Sequence, residues 1–269
     1  MKWDTDADKA IQKVPFFVRK RVRARVEEAA RTAGKNRVTL ADVNAVRDCF
    51  LKKMDTEVKG YQVDACFGAA GCPNRIMKSD LVEKIEAILT SENLPGFLRQ
   101  QLGRNLKFHH EFRVTVSDCP NACSQPQIKD IGIIGAEIPR ITENDCILCE
   151  KCVETCKEGA VILSPDVTRP VIDFSRCVKC GQCVRACPTH TIVAEKTGWR
   201  VLLCGKLGQH PKLAEALPGI YSEAKVLAIV RHCVTWYKAN SKNGERFGEV
   251  LARDPGFIQE LRREISGNT

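Results

Sequence analysis

Eight cysteines in two tandem runs constrain this chain more than any other feature. The first run reads CILCEKCVETC from Cys146 to Cys156, the second CVKCGQCVRAC from Cys177 to Cys187, with twenty residues between them. Both have the spacing CxxCxxCxxxC. Three thiolates set two residues apart on a tight loop can wrap three corners of one iron–sulfur cube, while the fourth cysteine opens a helix, points away and serves the other cube. The expectation is one [4Fe-4S] cluster on Cys146, Cys149, Cys152 and Cys187, and another on Cys177, Cys180, Cys183 and Cys156. A disulfide framework fits poorly, because the polar N-terminus carries no secretory signal. Zinc sites pair a CxxC with a distant CxxC or His pair, not two tandem four-cysteine runs.

This segment resembles a two-cluster bacterial ferredoxin. Lys157 stands where the second run has Pro188, a departure expected to alter the local turn more than the ligation. Of the fifteen cysteines, Cys49, Cys66, Cys72, Cys119, Cys123, Cys204 and Cys233 remain. Thiolates that carry clusters need a reducing compartment, and no apolar run approaches the roughly 20 residues of a membrane span. A cytoplasmic protein of an anaerobic or low-oxygen lifestyle is expected.

Four of the remaining cysteines form a second constellation. "VDACFGAAGCPNR" places Cys66 and Cys72 with five residues between them, and "SDCPNACSQPQIKDIGIIGA" places Cys119 and Cys123 with three between. Between these pairs a helix is expected over Ile76, Leu81, Ile85, Ile88 and Leu89, then a strand at Phe112, Val114 and Val116. A further strand is expected at Ile131–Ile134. Two loops then bring four thiolates together over one cube.

The contexts "ACFGAAGCP" and "DCPNAC…DIGIIG" resemble the sulfite and nitrite reductase family at its sirohaem–[4Fe-4S] site. The resemblance implies that Cys66, Cys72, Cys119 and Cys123 hold a third cluster, with Cys123 also the axial ligand of a sirohaem. It resumes at "TGWRVLLCGKLGQHPKLAEALPGIYSEAKVLAIVRHCVTWY", where a strand (Val201–Cys204) leads to a glycine-bearing turn and then a helix from Ser222 with Val226, Ile229, Val230 and Val234 inward. In the family such a turn lies against the sirohaem, which implies cofactor contacts for Gly205, Lys206 and Gly208. The other reading of this turn is an ordinary strand-to-loop connection. Cys204 stands where such turns usually have glycine, and it reads with Cys49 and Cys233 as a packed apolar side chain. By position alone, Lys206, Arg75 and Lys129 are candidate catalytic cations beside Cys123, with His109 and His110 as weaker ones.

Residues 1–56 read as helical. Pro15 opens a helix with Phe16, Phe17, Val18, Val22 and Val26 on its apolar side, and Thr39 with Asp42 starts a second one bearing Leu40, Val43, Val46 and Phe50. A polar connector follows, from Met54 to Gly60. "KVPFFVRKRVRARVEEAARTAGKNRVTLADV" is similar to the C-terminal domain of the light-independent protochlorophyllide reductase B subunit. Of the net charge of +9, these first 60 residues supply +6, fifteen Lys/Arg against nine Asp/Glu. A basic face can attract an acidic electron donor, tetrapyrrole carboxylates or nucleic acid. Nucleic acid is not expected, since the charges surround the helix without a reading motif.

The expected fold is α+β: a helical cap (1–56), a reductase-like half-domain in two parts (57–138 and 196–269), and an inserted ferredoxin-like unit (139–195). What the resemblance leaves missing is the other half of the family's active site, which supplies the Arg and Lys side chains that clamp sirohaem and oxyanion. Arg19, Arg21, Arg23 and Arg25 could replace it, as could a partner subunit or second copy. The expected function is sulfite or nitrite reduction fed by a ferredoxin- or flavoprotein-like donor. The alternatives are a three-cluster carrier without catalysis and a tetrapyrrole-binding module.

Overall fold

The computed structural model describes residues 1–103, 106–164 and 168–267. Residues 165–167 of the expected insertion and 268–269 of the expected tail lie outside it.

The N-terminal unit is built from β1 (Lys2–Trp3), α1 (Thr5–Gln12), α2 (Phe16–Thr32), β2 (Arg37–Val38) and α3 (Leu40–Glu57), with β1 and β2 paired in parallel. Its core is Ala7, Val26, Ala30 and Val38, with Trp3, Val22, Val43 and Val46 packed against them. The inward stripe of α2 therefore runs Val22, Val26, Ala30 at a spacing of four. Phe16 and Phe17 lie off that stripe and are 82% and 74% exposed, so the expected apolar side begins one turn later. Helix α3 continues through the stretch read as a connector, as far as Glu57. The Thr39–Asp42 start holds: the Asp42 carboxylate accepts from the Thr39 amide at 2.9 Å and the Thr39 hydroxyl at 2.7 Å. The basic helix is partly engaged within its own unit. Arg19 donates to the carbonyls of Val14 and Gln12, and Arg23 pairs with Asp8 at 2.9 Å and lies over the Trp3 ring. These contacts give both arginines structural partners.

A five-stranded sheet forms the body, in the order β3 (Tyr61–Ala65), β4 (Phe112–Ser117), β5 (Ile131–Ile141), β8 (Ile192–Leu203), β9 (Glu215–Ala216). Strands β3, β4 and β5 are parallel, and β8 runs antiparallel to β5 and to β9. Helices α4 (Leu81–Ser91), α5 (Leu94–Leu102), α8 (Glu223–Asn240), α9 (Phe247–Arg253) and α10 (Gly256–Gly267) accompany it. The main core joins Leu81, Ile85 and Leu89 of α4 to Val114, Ile133 and Val201 of the sheet and to Val226, Ile229 and Val230 of α8. Ile76, expected in the first of these helices, instead lies in the preceding loop, where its amide donates to the Asp118 carbonyl.

Strands β5 and β8 are far longer than the short segments expected, because they pair as one ribbon from Ile131↔Leu203 to Ile141↔Ile192, with an irregularity at Ile138/Pro139. The double cysteine run sits at the far end of this ribbon. There α6 (Lys151–Glu154), α7 (Gln182–Ala186) and the pair β6 (Val161–Ile162)/β7 (Val171–Ile172) pack a small core of Cys152, Val161, Cys183 and Ile192. An antiparallel ribbon carries an insertion without disturbing the sheet, since every ladder bond is closed below it.

At the other end of the sheet, the buried Asp130 carboxylate takes Arg246 at 3.0 Å and the Arg113 amide at 2.9 Å, tying α9 to β4 and β5. Burial pushes the Asp130 carboxyl up, against the pull of Arg246. Leu203 is the last residue of β8, and Cys204 follows at φ +70°, the glycine-like backbone noted for this turn. Cys204 and Cys233 are buried as expected, whereas Cys49 on α3 is exposed. It lines a hollow of about 310 Å³ with Arg25, Phe50 and Phe108.

Candidate cluster sites

Parallel strands bring four thiols together because both cysteine loops leave the same end of the sheet. Cys66 follows β3 directly and Cys119 comes two residues after β4, at the carboxyl ends where open α/β sheets bind ligands. The Cys66 amide is still paired with Val116, and its Sγ accepts the amides of Gly68 at 3.4 Å and Asp118 at 3.2 Å. A 3₁₀ turn at Phe67–Ala70, closed by Gly71 at φ +100°, turns the chain back to Cys72. The second loop is held by left-handed residues, Ala122 at φ +55° and Gln125 at φ +59°, and by Ser124, whose hydroxyl donates to the Val116 carbonyl.

Cys66, Cys72, Cys119 and Cys123 line one cavity of about 40 Å³, with Asn74, Arg75, Asp118 and Asn121. Burial pushes the Cys119 thiol up, an amide hydrogen bond from Asn121 opposes it, and the other three thiols push it further. Crowded thiols in this state are what cluster irons relieve, since a metal favours the deprotonated ligand. Asp118 is also raised by burial and is paired with Arg75 at 2.8 Å. Cys123 is the exposed member, and Asn121 Nδ2 donates to its Sγ at 2.9 Å.

The two ferredoxin-like runs share one backbone. Positive φ recurs two and four residues after the first cysteine of each, at Leu148 and Glu150 and again at Lys179 and Gly181. Cys156, Cys177, Cys180 and Cys183 line a cavity of about 20 Å³, which brings the last cysteine of the first run to the second. Burial pushes Cys183 up to about 12, followed by the fields of Cys177 and Cys180, with Cys156 also contributing. Cys152 is likewise raised by burial, then by Cys187 and Cys146, so the last cysteine of the second run reaches the first. Burial also raises Cys187, but hydrogen bonds from Ile192 and Thr189 outweigh it and leave that thiol low. Among the described residues, no three His, Cys, Asp or Glu side chains are grouped to hold a single metal ion. A cube instead takes one thiolate at each of four irons.

The second of these cysteine sets faces the body. The Glu137 amide on β5 donates to the Lys179 carbonyl at 2.8 Å, and Gln182 Nε2 donates to Asn74 Oδ1 at 2.9 Å. A cleft of about 540 Å³ is lined from one side by Asn74, Cys119 and Asn121 and from the other by Cys156, Cys180 and Gln182. The sequence reading misses Asp118, Asn121, Asn74 and Gln182. The first two lie within the cysteine loops, while the Asn74–Gln182 pair spans 108 residues and leaves no local signal.

The candidate cations divide. Arg75 lines the four-thiol cavity, but its Nε is engaged by Asp118 and the Met77 carbonyl. Lys129 pairs with Asp64 at 2.6 Å and Lys206 stands 3.5 Å from Glu249. None of Lys129, Gly205, Lys206 and Gly208 lines that cavity. Gly205 is pressed against backbone, where a Cβ would collide with the Gln127 carbonyl oxygen; Gly208, at φ +139°, faces open space. His109 and His110 precede β4, at the opposite end from its cysteine loop. Six residues at about 3.3 Å each put roughly 20 Å between them and the thiols. Burial, then nearby positive charges including Lys107 and Arg246, holds both imidazoles below their ordinary value.

Residues 62–266 match the family described as the nitrite and sulphite reductase 4Fe-4S domain, and residues 3–47 match the proto-chlorophyllide reductase 57 kD subunit. Among curated proteins, the coenzyme F420-dependent sulfite reductase of Methanocaldococcus jannaschii is 42% identical over 52 residues, 19% of this chain and 8% of that protein. One of the subunits of the anaerobic sulfite reductase of Salmonella typhimurium is 30% identical over 125 residues, 45% of this chain and 36% of that protein. The matches thus span well under half of either relative. Among solved structures, dissimilatory sulfite reductase I aligns with a TM-score of 0.46 at 17% identity, covering 82% of this chain and 57% of that one. NirA of Mycobacterium tuberculosis aligns with a TM-score of 0.42 at 18% identity, covering 81% and 31%. With more than half its length matched by the first of these families, the chain belongs to the nitrite and sulphite reductase 4Fe-4S domain family.

Proposed function

We propose that this chain is the electron-delivering half of a sulfite or nitrite reductase. In this reading it holds three [4Fe-4S] clusters on its twelve grouped cysteines, with sirohaem carried at Cys123. The observation that carries the reading is the convergence of Cys66, Cys72, Cys119 and Cys123 at the carboxyl ends of β3 and β4. When bound, the clusters would supply single electrons and the sirohaem an iron at which an oxyanion is reduced.

The chain's own residues fit those groups to different degrees. The two ferredoxin-like sets supply four thiols each, exchanged at Cys156 and Cys187. The Cys156 set adjoins the four-thiol site across the Asn74–Gln182 contact, which supports an order in which the Cys146 set is outermost. At the sirohaem position, Cys123 presents an exposed thiol and Phe67, 84% exposed, an apolar face on the same rim. A flat ring can lie on such a surface. Among the described residues, the three candidate cations Arg75, Lys129 and Lys206 are each paired with a carboxylate, which argues against their serving as the clamp for an oxyanion. A partner subunit or a second copy is the proposed source of those charges, and sulfite is the proposed substrate.

Those same ion pairs favour a second reading, a three-cluster carrier that binds no tetrapyrrole. Anaerobic purification separates the two. The reductase reading expects about thirteen irons per chain, twelve in clusters and one in sirohaem, with a Soret band and a far-red band. Twelve irons with only broad violet–blue absorbance would overturn it in favour of the carrier. Tetrapyrrole bound without turnover of sulfite or nitrite, even with every partner subunit added, would point to a tetrapyrrole-binding module.

A further inference from the structure

The two cysteine runs share a backbone and differ in charge. Over matching sixteen-residue windows, 143–158 holds five acidic and two basic residues, whereas 174–189 holds three basic residues and no acid. The basic window is turned toward the body: Arg185 reaches Glu137 at 3.8 Å and the Cys180 carbonyl at 3.0 Å, and Lys179 pairs through its backbone with β5. The acidic window faces solvent. Ile147 and Leu148 are 62% and 51% exposed, Cys149 beside them is exposed, and so are Glu143, Asp145, Glu150 and Glu154, which flank them in sequence. Glu143 is paired with Arg169, but Asp145, Glu150 and Glu154 have no ion-pair partner among the described residues. Lys151 lies in the same stretch and carries the opposite charge.

An apolar centre ringed by unpaired charge is how a transient protein contact is built: the centre excludes water and the rim steers encounter. Two exposed aliphatic side chains beside an exposed thiol have no packing role of their own.

We propose that the surface formed by Ile147, Leu148 and the carboxylates of Glu143, Asp145, Glu150 and Glu154 docks a one-electron carrier protein whose contact face is basic. The chain's overall charge of +9 would suggest an acidic partner, but the charge at this loop has the opposite sign. The inference rests on the cluster reading of Cys146, Cys149, Cys152 and Cys187, and it makes this loop the side from which that set is approached.

Zero-length carbodiimide cross-linking of the anaerobic holoprotein tests it, with oxidised cytochrome c as a lysine-ringed probe and flavodoxin as an acidic one. Cross-links from cytochrome c lysines to Asp145, Glu150 or Glu154, fading as salt rises, are expected. Asp145→Lys with Glu154→Lys should weaken cytochrome c binding roughly three- to tenfold, and Lys151→Glu should strengthen it. The opposed signs separate a charge effect from a folding defect. Cross-links that map elsewhere, a preference for flavodoxin at this loop, or no binding of either probe would overturn the proposal. Iron measured on the same sample separates the two levels. Full iron with no cross-link at the rim removes the docking surface alone, and missing iron removes the cluster reading beneath it.

Discussion

Asn121 Nδ2 donates a hydrogen bond to Cys123 Sγ at 2.9 Å, from a loop whose shape is fixed by the left-handed residue between them, Ala122. A donor aimed at a cluster thiolate favours the reduced, more negative state, so its removal should lower the midpoint potential of the group held there. Asn121→Leu should shift that midpoint down by ~40 mV, which corresponds to ~1 kcal/mol of differential hydrogen bonding for one electron. A potentiometric titration followed by electron paramagnetic resonance measures it, and an unchanged midpoint would separate this contact from cluster tuning.

The exchange of Cys156 and Cys187 between the two runs gives crossed phenotypes. Cys187→Ala should damage the set containing Cys146, Cys149 and Cys152, and leave any pigment at Cys123 in place. On the proposed ligation, Cys123→Ala should remove both the third cluster and any sirohaem. Iron analysis with visible spectroscopy on the two variants checks the assignment, and an intact pigment spectrum in Cys123→Ala would refute the bridging role.

Local spacing makes the ligand groups readable, because thiols two or three residues apart must share a turn whatever lies around them. What stays hidden is set by contacts distant in sequence. The length of the β5–β8 ribbon depends on pairing Ile141 with Ile192 across the insertion. The carboxylate partners of Lys129 and Lys206, Asp64 and Glu249, lie 65 and 43 residues away. Phe16 and Phe17 fall on the apolar side of their helix by sequence periodicity, but the buried stripe is set by where α1 and α3 contact α2.

Gly205 separates a packing requirement from a cofactor requirement. A methyl group there would collide with the Gln127 carbonyl and come within 2.8 Å of the Lys129 carbonyl, and both are backbone. Gly205→Ala should therefore destabilise the protein by about 1–3 kcal/mol, the cost of overpacking a well-filled site. Chemical denaturation with the cofactors bound and stripped reads the difference. An equal loss in both states assigns the glycine to the fold, whereas a loss confined to the loaded protein assigns it to cofactor contact.

Asp42 carries the acid sensitivity of the N-terminal unit. The Lys35 ammonium at 2.5 Å, then the Thr39 amide and hydroxyl, hold its carboxyl down at about 2, against an ordinary value of 3.8. A depressed carboxylate contributes stability that is fully present above its unfolded value and disappears as pH falls toward the folded one. Asp42→Asn should thus lower the stability of the helices by about 1 kcal/mol near neutral pH, the ordinary worth of a helix cap. The gap between variant and parent should close progressively between about pH 4 and pH 2, the window set by those two values. Thermal melts followed by circular dichroism across that range test it. A gap that stayed constant down to about pH 2 would show that the charge on Asp42 is not what starts α3.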